Sequence, residues 1–259
     1  MSEAQTPVLQ LDEVTITFGG LTAVNKVDFK IEKGDLFGLI GPNGAGKTTC
    51  FNLITGVYKP TRGTVFFRGK DITGTPSDKI ADLGICRTFQ NIRLFGALTV
   101  LENVVTGAFL RHNTGLLSAL SYSPAAIRER KRLEDEAMHL LEVLNLANQA
   151  DSRARDLPYG KQRRLEIARA MATQPALLLL DEPAAGMNPF EKEDLQKTVR
   201  LIRDQFDKTI LLIEHDMRFV MGLCEKIVVL DHGEEIAYGP PEDIRNNPKV
   251  IEAYLGEPV

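Results

Sequence analysis

The chain has 259 residues, with 31 Lys and Arg against 35 Asp and Glu, a formal net charge of −4, 43% hydrophobic and 25% charged residues. This is ordinary globular usage: it excludes a disordered, collagen-like or disulfide-scaffold chain and, at roughly 100–200 residues per domain, leaves one large domain or two small ones. The mildly acidic balance also argues against a nucleic-acid partner, since domains that bind nucleic acid are usually strongly basic. Apolar runs such as 176–180 and 210–213 are far short of the roughly 18–20 residues needed to cross a bilayer. The opening MSEAQTPVLQLDE lacks a basic n-region and an apolar h-region, which predicts a chain that stays in the cytosol. Cys50, Cys86 and Cys224 have no CxxC spacing, and His112, His139, His215 and His232 have no zinc spacing, so reduced, packed thiols are expected.

In chain order, Leu9 to Leu11 and Val14 to Phe18 alternate with the period of half-buried strands, and Val27 to Ile31 repeats the pattern. Gly34 breaks the chain before Leu36 to Ile40, an apolar run that reads as a strand buried on both faces. A Gly-rich turn and a helix from about Gly46 follow. From about Leu98 to Asp156 the pattern changes: Leu133, Ala137, Leu140, Leu141 and Leu144 recur at helical spacing, which predicts a mostly helical insertion. Its basic run, Arg128 to Arg132, reads as a solvated helix face. Apolar runs at Leu177 to Leu180 and Ile210 to Ile213 each end in an acidic residue and flank a helical pattern through Leu195, Val199 and Ile202. Strands alternating with helices predict a parallel, doubly wound α/β sheet. Ile227 to Leu230 and Glu235 to Tyr238 read as a hairpin around Asp231-His232-Gly233, and Pro240-Pro241 separates a short helical tail.

Gly41-Pro42-Asn43-Gly44-Ala45-Gly46-Lys47-Thr48 fits GxxxxGK[ST] and sits between a buried strand and a helix, with Thr49 next in that helix. The glycines let backbone N–H groups approach phosphate oxygens, and the helix N-terminus adds partial positive charge. Lys47 would neutralise the β- and γ-phosphates of a nucleoside triphosphate, and the Thr48 hydroxyl would ligate Mg²⁺. That hard cation needs a further oxygen at a neighbouring strand end, and Asp181 supplies it. Glu182 follows directly, placed to polarise a water for attack on the γ-phosphorus.

The chain resembles the ATP-binding subunits of ABC transporters over essentially its whole length. GPNGAGKTT, LLLLDEP, TFQN, LPYGKQRRLEIARAM and LLIEHD carry the resemblance. It implies a P-loop NTPase fold with a RecA-like parallel core, an N-terminal antiparallel β subdomain and an inserted helical subdomain. The expected division is one nucleotide-binding domain over 1–259, with its core in 1–97 and 157–239, the helical part in 98–156 and the tail in 240–259. It also implies that Gln90 reaches metal and attacking water, that His215 contacts the γ-phosphate, and that Phe18 stacks on adenine. Tyr159, Gly160 and Lys161, at the start of a helix, would hold the ATP of a second ATPase subunit paired head to tail, homologous or identical. The further partners implied are two integral membrane permeases and, through them, an external substrate-binding protein, with the chain peripheral on the cytoplasmic face of the cell membrane.

The block LPYGKQ departs from LSGGQ: Pro158 stands for the serine, Tyr159 for a glycine, and Lys161 for the glutamine. Proline offers neither a side-chain donor nor its own N–H, a loss worth about 1.5–3 kcal/mol for one hydrogen bond to a charged group. Asn188 stands where the family usually has aspartate. TFGGLTAV, FQNIRLFGALTVLENV, EPAAGMNP, IEHDM, the region Arg111 to Leu133 and the ending NNPKVIEAYLGE look most like ATPases of high-affinity branched-chain amino-acid importers. Urea, amide or aromatic-compound importers and the lipopolysaccharide-export ATPase stay open as alternatives, and a catalytically weakened regulatory subunit is the reading that Pro158 and Asn188 favour.

Overall fold

The computed structural model describes residues 6–109 and 124–255. They fall into two compact units, Met1–Arg87 with Ala176–Val259, and Thr88–Pro175. Among the described residues, the first holds every strand. Its larger sheet contains β3 (Leu36–Ile40), β6 (Ile85–Arg87), β7 (Leu177–Asp181), β8 (Thr209–Ile213), β9 (Lys226–Asp231) and β10 (Glu234–Gly239), in the order β10-β9-β3-β8-β7-β6. Only the β9–β10 pair is antiparallel; β9 to β6 run parallel. All five positions of β3, β7 and β8 are buried, which is why these segments read as unbroken apolar runs rather than as alternation.

The smaller sheet, β2 (Leu21–Ile31), β1 (Leu9–Phe18), β4 (Arg62–Phe67) and β5 (Lys70–Asp71), is antiparallel in the order β2-β1-β4-β5. In β1, Leu9 and Leu11 are buried and then Val14 and Ile16; this slip in the period of two coincides with an irregularity in the pairing between Leu11 and Val14. There Glu13 takes φ 45°, the unpaired residue of a bulge that returns the apolar side chains to the core face. Helix α1 (Lys47–Ile54) is packed into the same core through Cys50, Phe51, Leu53 and Ile54. The β9–β10 hairpin turns on His232 and Gly233, with φ 45° and 83°, the positive pair that a two-residue connection needs. The short α2 (Ser77–Leu83) precedes β6.

The second unit contains α3 (Val100–Phe109), α4 (Pro124–Val143) and α5 (Tyr159–Ala172). It takes in the expected helical segment together with the residues that flank it. Gly107 of α3 lets the α5 backbone come close: a Cβ there would lie 2.3 Å from the Arg169 carbonyl. Leu133, Ala137, Leu140, Leu141 and Leu144 are buried, whereas Arg132 lies exposed and pairs along its own helix with Glu129 and Glu136. Much of the Arg111 to Leu133 stretch, residues 111–123, lies outside the described residues, as do the last residues of the chain's ending. The remaining described α-helices belong to the first unit: α6 (Pro189–Phe206), α7 (Met217–Leu223), α8 (Pro241–Arg245) and α9 (Pro248–Leu255).

Candidate functional site

Register brings the strand ends level. Leu39 and Asp181 both pair with Ile213, so the segments after β3, β7 and β8 leave the sheet on one edge, the carboxyl edge where open α/β sheets bind ligands. The loop after β3 is held in a shape few residues tolerate. Gly41 has φ 149° and a Cβ there would fall 2.1 Å from the Leu230 carbonyl; Gly46 has φ 100° and a Cβ would meet the Ala23 carbonyl at 2.7 Å. Gly46 caps α1 without a side-chain hydrogen bond, and no acidic residue occupies the first turn. The amides of Lys47, Thr48 and Thr49 therefore face the loop without intrahelical partners. Lys47, almost fully buried at 7% exposure, donates through Nζ to the carbonyls of Gly41 at 2.6 Å and Pro42 at 2.8 Å. Burial pushes its pKa down, and the nearby charge of Glu182 opposes that shift.

At the end of β7, Glu182 takes φ 44°, a left-handed conformation unfavourable for a residue with a Cβ. Its amide is anchored to the Ile213 carbonyl at 3.0 Å. This aims the carboxylate toward the end of β8, where His215 Nδ1 lies 3.6 Å from Glu182 Oε2 and 3.8 Å from Glu214 Oε2. Glu214 is 1% exposed, accepts from the Ala184 amide at 2.7 Å, and has its pKa raised by burial against the opposing hydrogen bonds from backbone amides and the charge of His215. It fixes the loop after Glu182 from below. Asp181 accepts through Oδ2 from Arg87 Nη2 at 2.6 Å and Nε at 3.2 Å. At the end of β1, Phe18 is 44% exposed and meets Tyr58 edge to face, with centroids 5.1 Å apart.

The first unit thus carries Phe18, Gly41 to Thr49, Asp181, Glu182 and His215 of the expected site residues; Gln90, Tyr159, Gly160 and Lys161 belong to the second. In that second unit Pro158 caps α5 with no side-chain hydrogen bond, and its carbonyl takes the amides of Lys161 at 2.9 Å and Gln162 at 3.0 Å. Two turns of structure are locked by a pair that sequence spacing gave no reason to single out. Arg163 and Glu166 are 0% and 2% exposed and 2.8 Å apart. Arg163 donates to the carbonyls of Phe89 and Gln90, both at 2.7 Å, and Glu166 Oε1 accepts the Arg93 amide at 3.2 Å. The backbone of Gln90 is therefore fastened to α5.

The donor set suits a small hard cation arriving with phosphates. Thr48 and Asp181 offer a hydroxyl and a carboxylate, and among the described residues no cluster of three or more His, Cys, Asp or Glu could cage a metal; such cations are commonly held by one or two protein oxygens plus phosphate and water.

Comparison with known proteins identifies the family. Residues 24–185 match the family described as ABC transporter, and residues 234–259 match the branched-chain amino acid ATP-binding cassette transporter family. LivG of Salmonella typhimurium, a high-affinity branched-chain amino acid transport ATP-binding protein, is 49% identical over 251 residues, covering 97% of this chain and 98% of its own. The ADP conformation of MJ1267, an ATP-binding cassette of an ABC transporter, matches with a TM-score of 0.84 at 33% identity, over 97% of this chain and 99% of that one. A dimeric post-hydrolysis structure of the cassette MJ0796, bound to ADP and Pi, gives 0.74 at 25% identity, over 90% and 98% of the two chains.

Proposed function

The chain belongs to the ABC transporter family of ATP-binding cassettes and is a transporter ATPase, and on that premise we propose that it energises the import of branched-chain amino acids. The observation that carries the site reading is Lys47 resting on the Gly41 and Pro42 carbonyls at an uncapped helix start. An arriving triphosphate gives those amides an acceptor and gives the ammonium a better partner than neutral carbonyls. Lys47 then moves onto the β- and γ-phosphates, while the exposed ring of Phe18 takes the adenine, steadied at its edge by Tyr58.

Glu182 orients the attacking water and accepts its proton, and His215 beside it contacts the γ-phosphate. Thr48 and Asp181 would hold Mg²⁺, with Gln90 the further ligand that the family resemblance implies, and the ion would neutralise charge on the phosphate oxygens. The far side of the nucleotide is completed by Tyr159, Gly160 and Lys161 of a second ATPase subunit, paired head to tail as a homo- or heterodimer. The amides of Tyr159 and Gly160, which precede the first bonds to the Pro158 carbonyl, and the positive charge of Lys161 suit an anion there. No described helix is long and apolar enough to cross a membrane; the transport path belongs to two permease subunits that receive cargo from an external binding protein, with this chain on the cytoplasmic face.

The test is uptake of labelled leucine, isoleucine and valine into proteoliposomes holding the assembled transporter, with urea as competing cargo. Glu182→Gln should retain ATP while turnover and leucine uptake fall together, about 10²–10⁴-fold as for removal of a general base. Uptake of urea in place of leucine would redirect the cargo reading, and unchanged turnover in Glu182→Gln would remove Glu182 from the chemistry.

A further inference from the structure

Asp181 does not stand at the end of β7 as a lone carboxylate. Arg87 grips its Oδ2 through both Nη2 and Nε, and the two side chains are 13% and 7% exposed. The guanidinium is in turn pinned from α1: its Nη1 donates to Asn52 Oδ1 at 2.8 Å, and its Cζ lies 5.4 Å from the centre of the Phe51 ring. Three different contacts, from β7 and from two consecutive residues of α1, thus fix one planar cation against the acidic end of the site. A Lys could not make this set, because only the arginine fork presents separate nitrogens to a carboxylate and an amide while stacking on a ring.

We infer that Arg87 is a positioning residue that shares Asp181 with the divalent cation, fixing and neutralising the carboxylate while the metal is absent and holding metal affinity down when it is present. This rests on the reading of Asp181 as the metal-facing carboxylate. A buried carboxylate needs a counter-charge at every stage of a cycle in which the metal comes and goes with nucleotide. Arg87 supplies it between turnovers. Once the cation arrives, two positive groups draw on one carboxylate, and Asn52 and Phe51 prevent the guanidinium from withdrawing. The cation is therefore bound against a standing repulsion, which favours its departure with product.

The experiment uses the full chain, the non-hydrolysable analogue AMPPNP, and Mn²⁺ titrated by electron paramagnetic resonance, with thermal melts run alongside. Removing a unit charge a few ångströms from a divalent ion should, even at water-like screening, tighten Mn²⁺ binding in Arg87→Gln by at least about tenfold. The same variant should melt lower than wild type without metal and recover most of that deficit once Mn²⁺ and AMPPNP are saturating. Arg87→Lys, which keeps the charge, should stay within about threefold of wild type in Mn²⁺ affinity. Asn52→Ala loosens the guanidinium without deleting it and should tighten Mn²⁺ by about two- to threefold; it carries the test if Arg87→Gln fails to fold. Equal or weaker Mn²⁺ binding in Arg87→Gln, or a melting deficit identical with and without metal, assigns Arg87 a merely structural role and overturns the inference. Asp181→Asn separates the two levels: if it binds Mn²⁺ like wild type, the metal reading of Asp181 falls, whereas weakened binding there beside an unchanged Arg87→Gln overturns the role of Arg87 alone.

Discussion

Replacing Arg163 by Met keeps the length of the side chain and deletes its charge and donors. What is left behind is costly. Glu166, 2% exposed, becomes a buried carboxylate without its cation, a change worth about 3–5 kcal/mol when one partner of a buried pair is removed. The carbonyls of Phe89 and Gln90 also lose their donor at 2.7 Å, adding about 1 kcal/mol where water cannot replace it. A total near 4–6 kcal/mol is a large fraction of the roughly 5–15 kcal/mol that holds a typical fold. The assay is urea unfolding of the purified chain, followed by circular dichroism, for Arg163→Met alone and combined with Glu166→Gln. Glutamine removes the stranded charge yet keeps an oxygen for the Arg93 amide, so the double variant should regain about 1–2 kcal/mol. AMPPNP affinity measured without metal should hold within about threefold, because Lys47 shares no partner with Arg163. A loss under about 1 kcal/mol for Arg163→Met, or a double variant less stable than the single, would refute the argument that this ion pair holds the Gln90 segment.

Asn188 and Glu191 form a reciprocal cap at the start of α6, with both hydrogen bonds at 3.0 Å; Asn188→Ala should cost about 1 kcal/mol in a thermal or urea melt and Asn188→Asp should be nearly neutral. Glu235 has its pKa raised from 4.5 to about 7, first by burial and then by the charge of Asp28. An acid whose pKa is higher folded than unfolded holds its proton more tightly in the folded state, so its penalty is absent below 4.5 and grows as pH rises to about 7. Glu235→Gln should therefore raise the melting temperature at pH 8 and leave it unchanged at pH 4; equal gains at both would contradict the sign.

The parts of the fold that could be read directly are those in which local pattern and tertiary role coincide. The strands β3, β7 and β8 are buried on both faces, so their apolar runs stand out, and the loop after β3 announces itself because only glycine satisfies the backbone at Gly41 and Gly46. The strands β4, β5 and β6 carried no comparable signal: β6 has three residues and β5 two, too few for a period to register, and β4 opens on the exposed Arg62 and Gly63. Nor did the sequence reveal what steadies the site. Arg87 and Asp181 lie 94 positions apart, and their meeting depends on β6 pairing with β7. Arg163 and Glu166 stand three positions apart on α5, and only their burial marks them as structural. Asn188 read as a departure from a familiar loop, and the fold gives it a local task as a helix cap.

Nucleotide binding depends, on this reading, on the loop around Lys47 gripping a triphosphate. Isothermal calorimetry of the purified chain with ATP and magnesium tests it most directly, set against Lys47→Ala. The wild type should bind with magnesium-dependent heat, and the variant should lose at least about tenfold in affinity, as befits a charge-assisted contact to phosphate. Equal binding by both proteins, or no binding by the wild type, would contradict the account.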